Sequence, residues 1–163
     1  MAESLPDGWA TGVTVVQLNG GVSLNRRSGG AAGLAVTIAQ RASGHVSLLP
    51  SPAILERVET KQAIEADRTV AAVLVEAAEA QAFLFTAGPC DASSAHVENG
   101  YLSASDVEEL ARRGAVGDVL GRYIDADGNI VDPQLDARTV GVDLGRLRAC
   151  LLYTSDAADD SLR

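Results

Sequence analysis

Aromatic residues are scarce in this chain and make up only 4% of its 163 residues. Hydrophobic residues nevertheless reach 47%, so the core must be built mainly from Ala, Val, Leu and Ile. A core of this kind favours an α/β layer structure over a β-sandwich. The length suits one domain and is sufficient to bury a core.

Clustered cations and long apolar runs are also missing. The chain has 13 Lys and Arg against 22 Asp and Glu, a net charge of −9. The doublets Arg26-Arg27 and Arg112-Arg113 are isolated, which disfavours a nucleic-acid-binding surface, because phosphate contacts need clustered cations. No apolar run approaches the roughly 20 residues that span a membrane, and the N-terminus lacks the features of a signal peptide. We therefore expect a soluble cytoplasmic protein with no membrane partner.

Cysteine and histidine are too few to indicate a metal or catalytic centre. Cys90 and Cys150 give neither a disulfide framework nor metal-ligand spacing. Cys90 follows Gly88-Pro89 with no adjacent base, so we interpret it as a small pocket-lining or buried residue. His45 and His96 have no partner at ligand spacing and are expected at a strand end and in a surface loop. We predict no metal ion, no cofactor and no catalytic residue.

Hydrophobic periodicity predicts strands that alternate with helices. Asp67 is the expected N-cap of the second long helix. The predicted order is strand, helix, strand, helix and strand, at Val13–Leu18, Gly29–Ser43, His45–Leu49, Thr69–Ala80 and Ala82–Thr86. This alternation predicts an α/β fold with a mostly parallel sheet and helices on its faces.

The segment from residue 105 onwards joins a helix to a glycine-rich loop. Ser105 and Glu108 have the spacing of a capping box, and Gly114 is placed to end the helix that they begin. Asp118 then lies in a glycine-flanked loop. Two interpretations stay open: an ordinary helix end with a turn, or a loop that aims one carboxylate at a polar ligand.

The segment after that loop, Tyr123–Val131, has an extended pattern with a polar Asp-Gly turn. Asp125, Asp127 and Asn129 superficially suggest a calcium loop, but the glycine position is wrong and the bidentate Glu is absent. A turn between two short strands is the better interpretation.

Glycines are predicted at several strand ends, at Gly20-Gly21, at Gly88 and in the Gly114–Asp118 loop. Ligands of parallel sheets bind beyond the carboxyl ends of the strands, and glycine there lets backbone amides approach an anion. Ordinary turn chemistry explains the same glycines equally well, so both interpretations stand.

Six segments together carry a family resemblance. They are Val16–Val22, Leu49–Leu55, Asn99–Ser103, Arg113–Gly121, Tyr123–Val131 and Val140–Leu147. In this order and spacing, they resemble the sugar-binding effector domain of SorC/DeoR-type bacterial transcriptional regulators. The resemblance implies a Rossmann-like sheet with helices on both faces, related to sugar-phosphate isomerase and CoA-transferase-like folds. It also implies a phosphorylated sugar as ligand, a homo-oligomer, and DNA contact through a separate helix-turn-helix.

The resemblance also implies ligand-binding residues. They are Asn19, Gly20, Gly21, Val22, Gly88 and Asp118. An ionised carboxylate accepts strong hydrogen bonds from sugar hydroxyls but repels phosphate, so Asp118 is expected at the hydroxyl end. Arg26 and Arg27 are candidate phosphate contacts, with a solvated loop as the alternative.

The ends of the chain are expected to be incomplete. We interpret residues 1–149 as a partial effector domain, without the DNA-binding segment and the phosphate-contacting loop of the family. Beyond Arg148 the family continues with a strand and a Gly-Gly-x-x-Lys loop, whereas residues 150–163 look like a translated sequencing adapter. A polar, frayed C-terminus is the alternative for this tail.

Two other functions compete with ligand sensing. A sugar-phosphate isomerase-like or CoA-transferase-like enzyme would need a positioned base, and Asp118 is the one carboxylate that qualifies. The other alternative is a fragment without function, whose incomplete sheet would present unpaired edges.

Overall fold

The computed structural model describes residues 4–22, 30–149 and 152–153. The strands are Thr14–Val16 (β1), His45–Ser47 (β2), Phe83–Leu84 (β3), Ala87–Pro89 (β4), Gly117–Val119 (β5), Arg122–Ile124 (β6) and Leu152–Tyr153 (β7). The helices are Ala31–Arg41 (α1), Val58–Glu65 (α2), Arg68–Ala78 (α3), Ala95–Glu98 (α4), Ala104–Arg112 (α5), Pro133–Asp136 (α6) and Leu144–Arg148 (α7). Arg26, Arg27 and most of the tail lie outside the described residues. No helix among the described residues is long and apolar enough to cross a membrane.

The strands form three small sheets. β1 pairs in parallel with β2, and β3 pairs in parallel with β7. β4, β5 and β6 form an antiparallel sheet in that order. The α/β class and the parallel pairing of the first strands are confirmed. Beside these parallel pairs, the described residues include the antiparallel strands β4 and β5 where a strand end and a loop were predicted, so the α/β arrangement is mixed.

The two longest helices form where apolar periodicity predicted them. α1 buries Ala35 and Ala39, and α3 buries Val70 and Ala77. Asp67 caps α3, since its Oδ1 accepts from the Thr69 amide at 2.9 Å. These helices therefore follow from local sequence pattern.

The cap of α5 is two residues earlier than the capping box that we predicted. Ser103 Oγ accepts from the Asp106 amide at 3.1 Å, and Asp106 Oδ2 accepts from the Ser103 amide at 2.8 Å. The reciprocal pair satisfies two amides that the helix itself cannot bond. Gly114 ends the helix as predicted, with a φ of +99°.

The buried core is aliphatic, as the composition predicts. Its largest aromatic members among the described residues are Phe83 and Tyr123, which are 2% and 1% exposed. Tyr123 packs with Val107 and Leu110 of α5, while Phe83 packs with residues of α3 and α7. Tyr123 therefore packs the antiparallel sheet against α5.

A two-residue turn joins β5 to β6 and determines which side chains face each other. Leu120 and Gly121 have φ of +53° and +84°, the positive values of a type I′ hairpin turn. The register places Asp118 opposite Tyr123 on β6 and opposite Gly88 on β4. The predicted turn after β6 also forms, with the Asp125 amide donating to the Asn129 carbonyl at 2.9 Å.

Candidate functional site

The central residue of the site is Asp118, in the middle of β5. Asp118 is 7% exposed, so its carboxylate is almost completely removed from solvent. Its Oδ2 accepts two hydrogen bonds, from the Gly121 amide at 2.9 Å and from His96 Nε2 at 3.0 Å. A buried carboxylate is stable only with such partners, because an unpaired charge is expensive to bury.

The other oxygen of Asp118, Oδ1, lies against Gly88. Gly88 is the cross-strand neighbour of Asp118, and a β-carbon at Gly88 would overlap Oδ1. A larger residue at this strand position would therefore displace the Asp118 carboxylate. The strand pairing therefore brings together two of the predicted ligand-binding residues, Gly88 and Asp118, and their role in ligand binding stays a prediction.

His96 lies in α4 and is mostly buried, so the predicted position in a surface loop is wrong. Its side chain is only 12% exposed, and its ring packs at 6.2 Å from the ring of Tyr101 and 6.1 Å from that of Tyr123. The contact with Asp118 joins residues 22 positions apart. No local spacing signals a contact of that kind, so only the fold reveals it.

A hydrogen-bonded circuit fixes His96 beside the hairpin. Ser94 caps α4 and its Oγ accepts from the His96 amide at 3.2 Å. The same Oγ lies 3.1 Å from the Tyr123 hydroxyl. Burial raises the pKa of Tyr123 to about 12, so its hydroxyl keeps its proton at neutral pH. α4 and the β5–β6 hairpin are therefore joined by paired polar groups.

A cavity of about 730 Å³ opens beside this circuit, between β1 and β3. Its volume lies within the roughly 300–1,000 Å³ typical of small-molecule sites. α1 contributes an apolar wall that includes Leu34 and Ile38, and Trp9 covers part of it. The polar groups of Asn19, His96 and Asp118 also line it. The cavity thus combines apolar walls with a few polar groups that could orient a ligand.

The turn after β1 does not form the anion nest that its glycines suggested. The Gly20 amide donates to the Val140 carbonyl at 3.2 Å, and the Gly21 and Val22 amides donate to the Ser51 carbonyl at 2.9 and 3.1 Å. These amides are already bonded within the chain and are not free to hold a phosphate. Of the predicted residues of this turn, Asn19 lines the cavity whereas Gly20, Gly21 and Val22 do not.

Cations are missing from the described wall of the cavity, which contains no Lys or Arg among its described residues. Arg122 is nearby in sequence, but its Nε donates to Asp136 Oδ1 at 2.8 Å and its side chain is 3% exposed. It therefore serves the packing of α6 on the hairpin. The candidate phosphate contacts Arg26 and Arg27 lie outside the described residues.

Cys90 does not line the cavity but packs on the core cluster around Val107. Burial raises the pKa of its thiol, with smaller contributions from the carboxylates of Asp118 and Asp91. A raised pKa leaves little thiolate at neutral pH, so this cysteine is not an activated nucleophile. In the described part of the chain, no group of three or more His, Cys, Asp or Glu side chains could hold a metal ion.

A family model described as a sugar-binding domain matches residues 1–151. The chain belongs to this family. The deoxyribonucleoside regulator of Bacillus subtilis (strain 168) is 30% identical to this chain over 148 residues. These residues cover 91% of this chain and 47% of that regulator. The erythritol catabolism regulatory protein EryD of Brucella abortus (strain 2308) is 28% identical over 103 residues, covering 63% of this chain and 33% of that protein. The chain thus spans half or less of the length of these relatives.

Solved structures show the same fold. A DeoR family transcriptional regulator from Listeria monocytogenes matches with a TM-score of 0.78 at 23% identity, over 90% of this chain and 57% of that one. The full-length sorbitol operon regulator SorC from Klebsiella pneumoniae matches with a TM-score of 0.79 at 22% identity, over 94% and 49%. The sugar-binding domain therefore shares its fold with regulators of the DeoR and SorC type, as the sequence resemblance predicted.

Proposed function

We propose that this sugar-binding domain is the ligand-sensing module of a transcriptional regulator, and that it has no catalytic activity of its own. The observation that carries the proposal is the buried carboxylate of Asp118 at the wall of a cavity of small-molecule size. Its Oδ1 is the acceptor that a sugar hydroxyl would use. Ligand binding would favour one arrangement of subunits and so change the affinity of the full-length regulator for DNA.

The ligand in this proposal is a phosphorylated sugar, with Asp118 at its hydroxyl end. The domain would belong to a cytoplasmic homo-oligomer that contacts DNA through a separate helix-turn-helix domain. The resemblance to DeoR and SorC regulators supports these assignments. With them we propose the relation to Rossmann-like sugar-phosphate isomerase and CoA-transferase-like folds that the resemblance implies. Arg26 and Arg27 are the proposed phosphate contacts, since the described wall offers no cation.

Calorimetry with matched sugars tests the proposal. We would titrate deoxyribose 5-phosphate and glucose 6-phosphate, each beside its unphosphorylated form, with inorganic phosphate as a further control. The phosphorylated member of at least one pair should bind most tightly. Absence of binding by every sugar would contradict the proposed function.

Two matched variants test the role of Asp118. Asp118→Asn removes the charge at constant size, whereas Asp127→Asn makes the same change in the exposed turn after β6. Hydrogen bonds to charged groups contribute about 1.5–3 kcal/mol, so Asp118→Asn should weaken sugar binding by roughly 10- to 100-fold. Equal affinities for the two variants would remove Asp118 from the site.

The phosphate assignment needs its own variants. Arg26→Ala with Arg27→Ala should reduce the preference for phosphorylated over unphosphorylated sugar, and leave binding of the unphosphorylated sugar unchanged. Arg112→Ala, at an exposed arginine of α5, is the control. An unchanged preference would show that the phosphate is held elsewhere.

An isomerase-like enzyme is the second candidate, because His96 and Asp118 form a paired acid and base at the cavity. Incubation with ribose 5-phosphate or glucosamine 6-phosphate, followed by product analysis, distinguishes the two. We expect binding without turnover. Turnover that disappears in Asp118→Asn would establish the enzyme instead.

A further inference from the structure

The two oxygens of Asp118 have different surroundings. Oδ2 accepts from both His96 Nε2 and the Gly121 amide, whereas Oδ1 accepts from no described residue and lies against Gly88. Within the described chain, His96 is the one side chain that hydrogen-bonds to this carboxylate. The rotation of the carboxylate about its Cβ–Cγ bond therefore depends on His96 and one backbone amide.

The imidazole of His96 has its own asymmetry. Nε2 contacts Asp118, while Nδ1 is buried without a hydrogen-bond partner among the described residues. A proton on Nδ1 would be a buried donor without an acceptor, which is costly. A neutral ring with its proton on Nε2 avoids that cost and donates to the carboxylate.

Packing holds this ring in place. The ring centroids of Tyr101 and Tyr123 lie 6.2 and 6.1 Å from that of His96. Ser94 Oγ accepts from the His96 amide and lies 3.1 Å from the Tyr123 hydroxyl. Tyr123 is also the cross-strand neighbour of Asp118. The hydrogen bonds that hold His96 therefore involve a residue beside the carboxylate that His96 contacts. A ring held this way can fix the direction of a hydrogen bond.

We propose that His96 is a positioning residue for ligand recognition: Nε2–H holds Oδ2 and so presents Oδ1 to the ligand hydroxyl. The proposal rests on the proposed function in one respect, that the ligand is a sugar. His96 acts through Asp118 in this arrangement, because a group that hydrogen-bonds to a ligand-binding side chain fixes the orientation of that side chain.

Three substitutions separate positioning from packing. His96→Gln can place an amide N–H where Nε2 lies, whereas His96→Asn is too short to reach Oδ2, and His96→Leu keeps the bulk without a donor. With deoxyribose 5-phosphate as the probe, we expect the Leu and Asn variants to lose roughly 10- to 100-fold in affinity and the Gln variant to recover most of it. His45→Gln and His45→Leu, at an exposed histidine of β2, are the matched controls and should bind as the parent does.

Equal affinities of the Gln, Asn and Leu variants would overturn the proposal. If the Leu variant does not fold, the comparison of Gln with Asn decides alone, since both are polar amides that differ in reach. Recovery in Gln but not in Asn supports positioning, and equal binding by the two overturns it.

Nitrogen NMR of the imidazole provides a readout that needs no ligand. We expect Nε2 of His96 to carry the proton that it donates to Asp118, and this fixed arrangement to be lost in Asp118→Ala. A ring without a proton on Nε2 would overturn the positioning geometry. If the parent chain binds no sugar but shows the expected tautomer, the proposed function fails while the His96–Asp118 pairing stands, so the two failures are distinguishable.

Discussion

At the scale of single residues, the site depends on the absence of a side chain at Gly88. The strand pairing brings Asp118 Oδ1 to the position that a β-carbon of residue 88 would occupy, so a methyl group there must displace the carboxylate. Gly88 thus determines how far the carboxylate can enter the sheet. Its conformational freedom is not the reason for glycine here.

We expect Gly88→Ala to displace Asp118. Overpacking of this kind costs about 1–3 kcal/mol of unfolding free energy, and a displaced carboxylate should also lose sugar affinity. Gly33→Ala is the control, because Gly33 lies in α1 with open space around it, and alanine there should stabilise the helix by about 0.5–1 kcal/mol. Urea unfolding and calorimetry measure both effects. A Gly88→Ala variant that folds and binds normally would contradict the close approach.

Tyr123 gives the molecule a defined sensitivity to alkali. Its pKa is raised from 10.0 to about 12 by burial, with the Ser94 hydrogen bond opposing the shift. The folded state therefore holds the proton more tightly than the unfolded chain does. This contribution is complete below pH 10 and is lost as the pH rises towards about 12, by roughly 3 kcal/mol at most.

Unfolding free energy measured against pH, beside a tyrosinate absorbance titration, checks this prediction. Tyr123→Phe is the control, because it removes the ionisable group and should flatten the decline above pH 10. Burial also raises the pKa of Tyr101 above 10.0 and that of Cys90 above 9.0, so the difference between the two proteins, rather than either curve alone, isolates the contribution of Tyr123. An equal decline in both proteins would contradict the assignment.

At the scale of elements, the cap of α5 shows how close a local pattern can come. Ser105 and Glu108 fit the capping-box spacing, but Ser103 and Asp106 make the reciprocal bonds. The usual capping-box pattern has Glu or Gln at the third helical position, so it does not identify Asp106, whose side chain is one carbon shorter than that of Glu. Ser105 Oγ lies 2.8 Å from Ser103 Oγ and does not cap the helix itself.

Ser103→Ala should therefore cost about 1 kcal/mol of unfolding free energy, and Ser105→Ala much less. Chemical unfolding of the two variants measures the difference directly. A larger loss of unfolding free energy in Ser105→Ala than in Ser103→Ala would show that Ser105 is the cap, as the sequence pattern indicated.

The same scale explains which elements could be predicted. α1 and α3 follow from a 3.6-residue apolar period, and Asp67 marks the start of α3, so local sequence suffices. β4 has the sequence Ala-Gly-Pro, which carries no strand pattern. It exists because Gly88 permits pairing with β5, about 30 residues later in the chain. Asp118 was a candidate from its glycine-flanked loop, whereas His96 reaches the site only through the fold.

At the scale of the whole molecule, β1 and β3 both line the cavity, and among the described strands β1 pairs with β2 alone. His45 N donates to Val13 O and Gln17 N donates to Ser47 O, so the backbone groups of Thr14 and Val16 point away from β2. β3 pairs with β7 alone among the described strands. Unpaired strand edges of this kind favour pairing with other chains.

We expect this 163-residue chain to self-associate as its concentration rises, through the edge at β3. Leu84 is 57% exposed on that strand, and Leu84→Lys should shift the equilibrium towards monomer because a charged edge resists strand pairing. Val116→Lys makes the same change at a side chain that is 63% exposed in the segment before β5 and should leave association unchanged. Sedimentation velocity over a concentration series measures all three proteins. A parent chain that stays monomeric throughout, or equal effects of the two lysines, would exclude the β3 edge as the site of association.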